Sequence, residues 1–260
     1  QLLIITGLAV WICFVALTAR WPIHYRALYW LLPLIPLAFA IHRRSFPRIS
    51  LPQTRRELAP IALVLFPLVC HWLISLKPEV SADGLAMHMV IPARMVFAHA
   101  WPFDVQEFTW AVMPMGGDWA FSVAWQLAGE SCARLLNPTL VALLAWILYQ
   151  RLQPILPAWI AATLTAAFAA TPLTQHVTGS LFVENVVASL IVCSALLLLE
   201  PDDPDHTFVL AGCFLAGVAI ASKFGAFAFV VPILIAAATR LKWRRLLPGV
   251  ALLLAAGSIP

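Results

Sequence analysis

The sequence predicts an all-α fold: a polytopic bundle of transmembrane helices with one long outer loop of interfacial helices. Three observations predict it. The chain is 62% hydrophobic, with a mean hydropathy of +0.91. Charged residues make up only 11% of it, against about 25% in soluble domains. The apolar residues also come in long blocks, near the ~20 residues that span the ~30 Å hydrocarbon layer. They show none of the short alternating segments of a membrane β-barrel.

The apolar blocks read as helices near 2–19, 27–41, 57–76, 138–150, 155–175, 181–199, 207–222, 224–239 and 246–260. Pro33 and Pro36 are expected to kink the second and Pro67 the third, since proline removes a backbone donor. The last two helices before the C-terminal one are separated only by Lys223. Residues 1–56 form an N-terminal helix pair with a basic loop, and 57–260 form the main transmembrane region around an outer loop at 77–137. No charged segment precedes the first apolar run and no cleavage site follows it, so no signal peptide is read. Gln1 and Pro260 both lie inside apolar runs, which reads as a piece of a longer protein, cut at both ends.

Orientation follows from the arginines. HRRSFPRISLPQTRRE (42–57) carries Arg43, Arg44, Arg48, Arg55 and Arg56, and RLKWRR (240–245) carries Arg240, Lys242, Arg244 and Arg245. Basic loops stay in the cytoplasm. With both inside, the intervening helices alternate consistently: out to 77–137, in to Arg151, out to TQHVTGS (174–180), in to EPDDPDH (200–206), out to Lys223, and in again. Asp83, Glu184 and Lys223, far apart in sequence, therefore fall at the same outer face.

Within the loop, GLAMHMVIPARMVFAHA (84–100) and GGDWAFSVAWQLAGESCARLLN (116–137) mix apolar and polar positions. Both read as helices lying in the interface with the apolar side down, or, for 117–136, as a hairpin re-entering the membrane. Trp101, Trp110, Trp119 and Trp125 suit that depth.

Other chemistries find little support. Cys13, Cys70, Cys132, Cys193 and Cys213 make no CxxC, and their odd count gives neither a disulfide framework nor a zinc site; they read as small buried residues. The net charge of +4 comes from clusters at helix ends, which sets membrane orientation and does not describe a nucleic-acid groove. Asp202, Asp203 and Asp205 resemble a metal-holding DxD, but sit in a Pro-rich connector and read as a polar turn. No GxGxxG, Walker A, HExxH or GxSxG stretch is present.

The candidate site residues are few. Asp83 follows the third helix, where a carboxylate near the low-dielectric layer must be paired or wet. It reads either as the cap of the helix starting at Gly84 or as a general base for an acceptor hydroxyl; one residue can do both. Glu184 reads as a favourable charge in a first helical turn or as a group orienting a substrate at membrane depth. Lys223 reads as a snorkelling side chain or as a point charge for a phosphate, with Gly225 allowing a tight turn beside it. Arg94 reads as an anion-binding or a solvated interface charge. Asp83, His88 and Glu184 could share a divalent cation, although their spacing matches no metal pattern. No resident metal or cofactor is expected.

SADGLAMHMVIPARMVFAHAWPFD, followed by WAVMPMGGDWAFSVAWQLAGESCARLLN, resembles the first large outer loop of membrane glycosyltransferases with the GT-C fold. The nearest likeness is to the bacterial group related to dolichyl-phosphate-mannose protein mannosyltransferases and to the lipid A aminoarabinose transferases. Those proteins show an Asp after a transmembrane helix, often as D-x-x-x-Y-H, then an acidic residue at the outer start of a later helix, and a T-K or S-K step between two short helices. VTGSLFVENVV and GVAIASKFGAF are similar to the later elements, and the resemblance covers roughly residues 60–245. Met87 departs from it, standing where Tyr is common before His88, and the helix pair at 2–41 precedes the helix that normally opens the fold.

The resemblance implies transfer of a sugar from a polyprenyl-phosphate carrier to a lipid, protein or glycan acceptor, at the outer face of the plasma (inner) membrane. Asp83 would be the catalytic base, Lys223 and Arg94 would be candidates for the donor phosphate, Glu184 would line the acceptor side, and His88 would be a further substrate-binding residue. The partners implied are the polyprenyl-phosphate sugar, membrane lipids and an unspecified acceptor. A multi-pass transporter or flippase is the alternative, although transporters place charges at the midplane, often with inverted repeats, and no repeat is found. A non-catalytic membrane scaffold is the third reading.

Overall fold

The computed structural model describes residues 2–31, 33–34, 55–108, 113–200 and 205–259. Every regular element among them is helical: α1 (Leu2–Thr18), α2 (Arg26–Leu31), α3 (Arg55–Ser75), a π-helical turn (Gly84–His88), α4 (Val90–Ala98), α5 (Gly116–Ala128), α6 (Glu130–Leu152), α7 (Ala158–Ala170), α8 (Pro172–Thr178), α9 (Glu184–Leu199), α10 (His206–Ser222), a 3-10 turn (Phe224–Ala226), α11 (Phe227–Arg240) and α12 (Trp243–Gly257). Most of the expected helix 27–41, with Pro36, lies outside the described residues. So do Arg43, Arg44, Arg48, Trp110, Asp202 and Asp203.

The main core joins α1, α4, α5, α9, α10, α11 and α12. Its closest pairings are α10 with α12 and α9 with α10. Gly217 on α10 faces the carbonyl oxygen of Leu253 on α12 where a Cβ would stand, so the two backbones touch, as small residues permit between apolar helices. A smaller core holds α3 against α6 and α7 through Val64, Leu68, Val141, Ala145, Ala161 and Ala169. The two cores meet across α6, which packs on both α5 and α9.

Among the described residues one helix, Glu130–Leu152, is long and apolar enough to cross a membrane, and half of its apolar window is buried. The helical stretches Leu2–Thr18, Ala59–Ser75, Ala158–Ala170, Glu184–Leu199, His206–Ser222 and Phe224–Arg240 are apolar but shorter.

Three expectations are corrected. The segment 116–128 is not an interfacial helix with one wet face. α5 is buried on nearly all sides, from Gly116 through Ala124, because α1, α4, α6 and α10 all pack on it. Trp101 and Trp119 are likewise fully buried within the protein, and Trp125 is half-exposed. α6 starts at Glu130 and not at 138. Pro138, which reads as a helix start, lies within the helix, and the polar residues before it, Arg134 and Asn137, are consumed by buried hydrogen bonds. The single run expected at 155–175 is two helices. Thr171 breaks it with extended backbone, accepts the Thr174 N–H and precedes Pro172 at the first position of α8.

The alternation of helices places two sets of charges at opposite ends. At one end Arg151 pairs with Glu200 at 2.6 Å, and the Arg240 guanidinium donates to the Leu199 carbonyl. At the other end stand the turn after α3, the start of α9 and the end of α10.

Candidate functional site

The chain leaving α3 is fixed by a buried carboxylate. Glu79 Oε1 accepts from the backbone N–H of Val80 and Ser81 and from the Ser81 hydroxyl, at 3.0, 2.9 and 2.8 Å. Its Oε2 accepts from Arg134 Nη1 and from the Leu181 N–H, both at 2.9 Å. Arg134 gives its other donors to the carbonyls of Ser75 and Gly179. Burial alone would raise the Glu79 pKa, but the Ser81 hydrogen bonds, the Arg134 charge and the Leu181 N–H together hold it below its ordinary 4.5. Sequence reading missed this clasp; neither residue stands in a recognisable pattern.

The clasp corrects the capping role expected of Asp83. Ser81 Oγ, not Asp83, takes the Gly84 N–H, at 3.0 Å. Asp83 itself is helical in backbone and makes no capping hydrogen bond. Gly84 has no room for a side chain, since a Cβ there would come within 2.5 Å of Ser81 Oγ and 2.6 Å of the Glu79 carboxyl carbon. Asp83 is thus held by its neighbours while its own exposed carboxylate has no hydrogen-bond or ion-pair partner among the described residues.

That carboxylate lines a cavity of about 370 Å³ together with Met87, His88, Met115, Asp118, Glu184 and Lys223. The structure therefore brings together Asp83, His88, Glu184 and Lys223 from three separate parts of the chain. Glu184 and Lys223 form an ion pair through Glu184 Oε1. The second oxygen, Oε2, is buried and unpartnered. Lys223 reaches Oε1 from an extended backbone between α10 and the 3-10 turn. Gly225 is not what makes that turn: it has no positive φ, and a Cβ there would meet nothing within 4 Å.

His88 Nδ1 lies 2.6 Å from Asp118 Oδ1. Burial opposes the imidazolium, but the Asp118 hydrogen bond and charge, joined by the fields of Glu184 and Asp83, reverse that effect and lift the His88 pKa above its ordinary 6.5. Asp118 is the site residue that sequence reading missed. Its signal was the paired glycine before it: Gly116 and Gly117 let the start of α5 press on Ser222 and Val183, which carries an acidic first turn into the interior.

Arg94 does not join the site. It makes two hydrogen bonds to Glu107, at 2.7 and 3.2 Å, and its guanidinium sits 4.1 Å from the Phe108 ring centre. A role on the donor phosphate is therefore withdrawn for Arg94. Asp205 caps α10, as a polar turn would. Among the described residues no three His, Cys, Asp or Glu side chains gather closely enough to hold a metal ion; His88 is turned to Asp118 and Glu184 to Lys223. The cysteines are free, though Cys70 is exposed rather than buried.

Beside the polar cavity runs an apolar groove of about 380 Å³ between α9 and α11, lined by Val187, Ile191, Val192, Ala226 and Phe229. Glu184, Lys223 and Gly225 line both spaces. The site is thus amphiphilic, with the ion pair at the boundary.

No family model matches this chain, and no curated protein or solved structure matches it.

Proposed function

We propose that this chain belongs to a polytopic membrane glycosyltransferase that moves a sugar from a polyprenyl-phosphate carrier to an acceptor hydroxyl at the outer face of the plasma membrane. The observation that carries the reading is the pairing of the two spaces. An unengaged carboxylate, Asp83, opens on a cavity lined by charged groups that shares Glu184 and Lys223 with an apolar groove. Such a site suits a substrate with a polar head and a hydrocarbon tail. Asp83 then acts as base on the acceptor hydroxyl, Lys223 faces the donor phosphate as a point charge, and Glu184 sets the Lys223 position. In this scheme positive charge beside the departing phosphate comes from Lys223, and no metal is invoked.

The surface supports a lipid setting. Large apolar side chains stand outward along several helices, among them Phe66 at 73% exposure, Phe229 at 61% and Ile235 at 62%. Exposed apolar side chains in this number suit contact with lipid or another apolar surface. The shorter apolar helices would cross a bilayer with snorkelling ends or local thinning.

Two experiments test the reading. The full-length protein purified in mild detergent is expected to carry a polyprenyl phosphate or its sugar adduct in native mass spectrometry. Asp83→Asn is expected to keep that adduct and lose sugar transfer. Failure to bind added polyprenyl phosphates, or full transfer by Asp83→Asn, overturns the assignment. For sidedness, Asp83→Cys is expected to react with an impermeant thiol reagent from outside and Asp203→Cys only after lysis. The reverse pattern would break the outer placement.

A further inference from the structure

His88 is held on one ring nitrogen and open on the other. Nδ1 meets Asp118 Oδ1, while Nε2 has no partner among the described residues and the ring lines the cavity. Phe121 and Phe182 flank it edge-on at 6.3 and 6.5 Å between ring centres, so its orientation is fixed by packing as well. Asp118 has a side chain only 9% exposed. Its place is set by the backbone, because Gly116 and Gly117 seat the first turn of α5 against Ser222 and Val183 with no room for a Cβ. A buried carboxylate that fixes one imidazole nitrogen leaves the other to exchange a proton with a ligand. The other cations near the site are engaged: Arg94 with Glu107 and Lys223 with Glu184.

We propose that His88 is the proton-carrying group of this cavity and Asp118 its positioning residue: Asp118 accepts Nδ1–H, and Nε2–H is given to a phosphate oxygen of the departing carrier. The inference rests on the transferase reading above. As the acceptor oxygen bonds to the anomeric carbon, its proton passes to Asp83. The bond from that carbon to the phosphate oxygen breaks, and the electron pair stays on the phosphate. His88 gives its Nε2 proton to the phosphate and becomes neutral. The proton that Asp83 then releases to water balances the one that His88 takes back.

The groups facing His88 are Asp118 from α5, Glu184 from the start of α9 and Asp83 from its own turn, with Lys223 across the cavity offset by Glu184. Arg94, on the adjoining α4, faces Glu107. All but Lys223 and Arg94 favour the charged imidazole.

Binding of farnesyl phosphate to the full-length protein in nanodiscs, followed by calorimetry as a function of pH, tests the proposal. In the wild type, affinity is expected to fall as pH rises through a break above 6.5. His88→Gln should lose that break, keep only the ligand's own titration, and bind about tenfold more weakly below it, the worth of one charge-assisted hydrogen bond. Asp118→Asn should move the break to lower pH while binding at the acid end stays near wild type; a change that only loosened the fold would weaken binding at every pH. An unmoved break in Asp118→Asn, or the same break in His88→Gln, overturns the dyad and leaves the transferase reading standing. No binding of farnesyl phosphate at any pH overturns both.

Discussion

Two polar clusters stand at the same end of the bundle and are built in opposite ways. In the clasp of Glu79 and Arg134, both carboxylate oxygens and all three guanidinium nitrogens are hydrogen-bonded, and the side chains are 1% and 4% exposed. In the neighbouring cavity Asp83 has no partner, Glu184 Oε2 is buried without one, and His88 Nε2 is open. The difference teaches which polar groups serve the fold. A satisfied buried network fixes geometry. A buried group left unsatisfied in a native structure calls for a specific cause, and several such groups around one cavity point to a bound ligand.

The largest effect that would break this comparison is on stability. Arg134→Met leaves the Glu79 carboxylate buried without its counter-charge, and removing one partner of such a pair costs about 3–5 kcal/mol. The Ser75 and Gly179 carbonyls lose their common donor at the same time. Asp83→Asn, one turn of chain away, should stay within about 0.5 kcal/mol of wild type, as for a surface change that breaks no contact. Thermal midpoints in mild detergent check both. Equal losses in the two variants would show that Asp83 belongs to the structural network after all.

How much of this was legible in the sequence depends on the kind of signal. Helix class and the positions of α1, α3, α9, α10 and α11 follow from the length and spacing of apolar runs. The gathering of Asp83, Glu184 and Lys223 at one end follows from counting helix reversals between the basic loops, and Arg151 with Glu200 at the other end agrees with that count. What failed was depth. α5 has the mixed polar and apolar composition of a surface helix, yet Gln126 and Ser122 are buried because their hydrogen bonds go to the His24 and Asp118 carbonyls. The Ser122 bond closes within its own helix, whereas the Gln126 bond joins residues 102 apart in the sequence and leaves no local trace. The same holds for Glu79, Arg134 and Asp118. Asp83 was read as a cap because an Asp before a Gly in a short turn is normally one. Ser81, two residues earlier, takes that place only because Glu79 holds it there.

The smallest expected effect separates the two clusters by pH alone. Glu79 has a folded pKa below its ordinary 4.5, so its contribution to stability is fully present above 4.5 and is lost as pH falls through the folded value. His88 has a folded pKa above its ordinary 6.5, so its contribution is fully present below 6.5 and is lost as pH rises through the folded value. The clasp therefore shapes the acid limb of the stability profile and the cavity its neutral-to-alkaline limb. Thermal midpoints measured across pH should fall on both sides, with Glu79→Gln flattening only the acid limb and Asp118→Asn only the other. If Asp118→Asn left the alkaline limb unchanged, His88 would be neutral in the folded protein. The cavity would then hold three carboxylates against the single positive charge of Lys223, which leaves a departing phosphate dianion without a second cation.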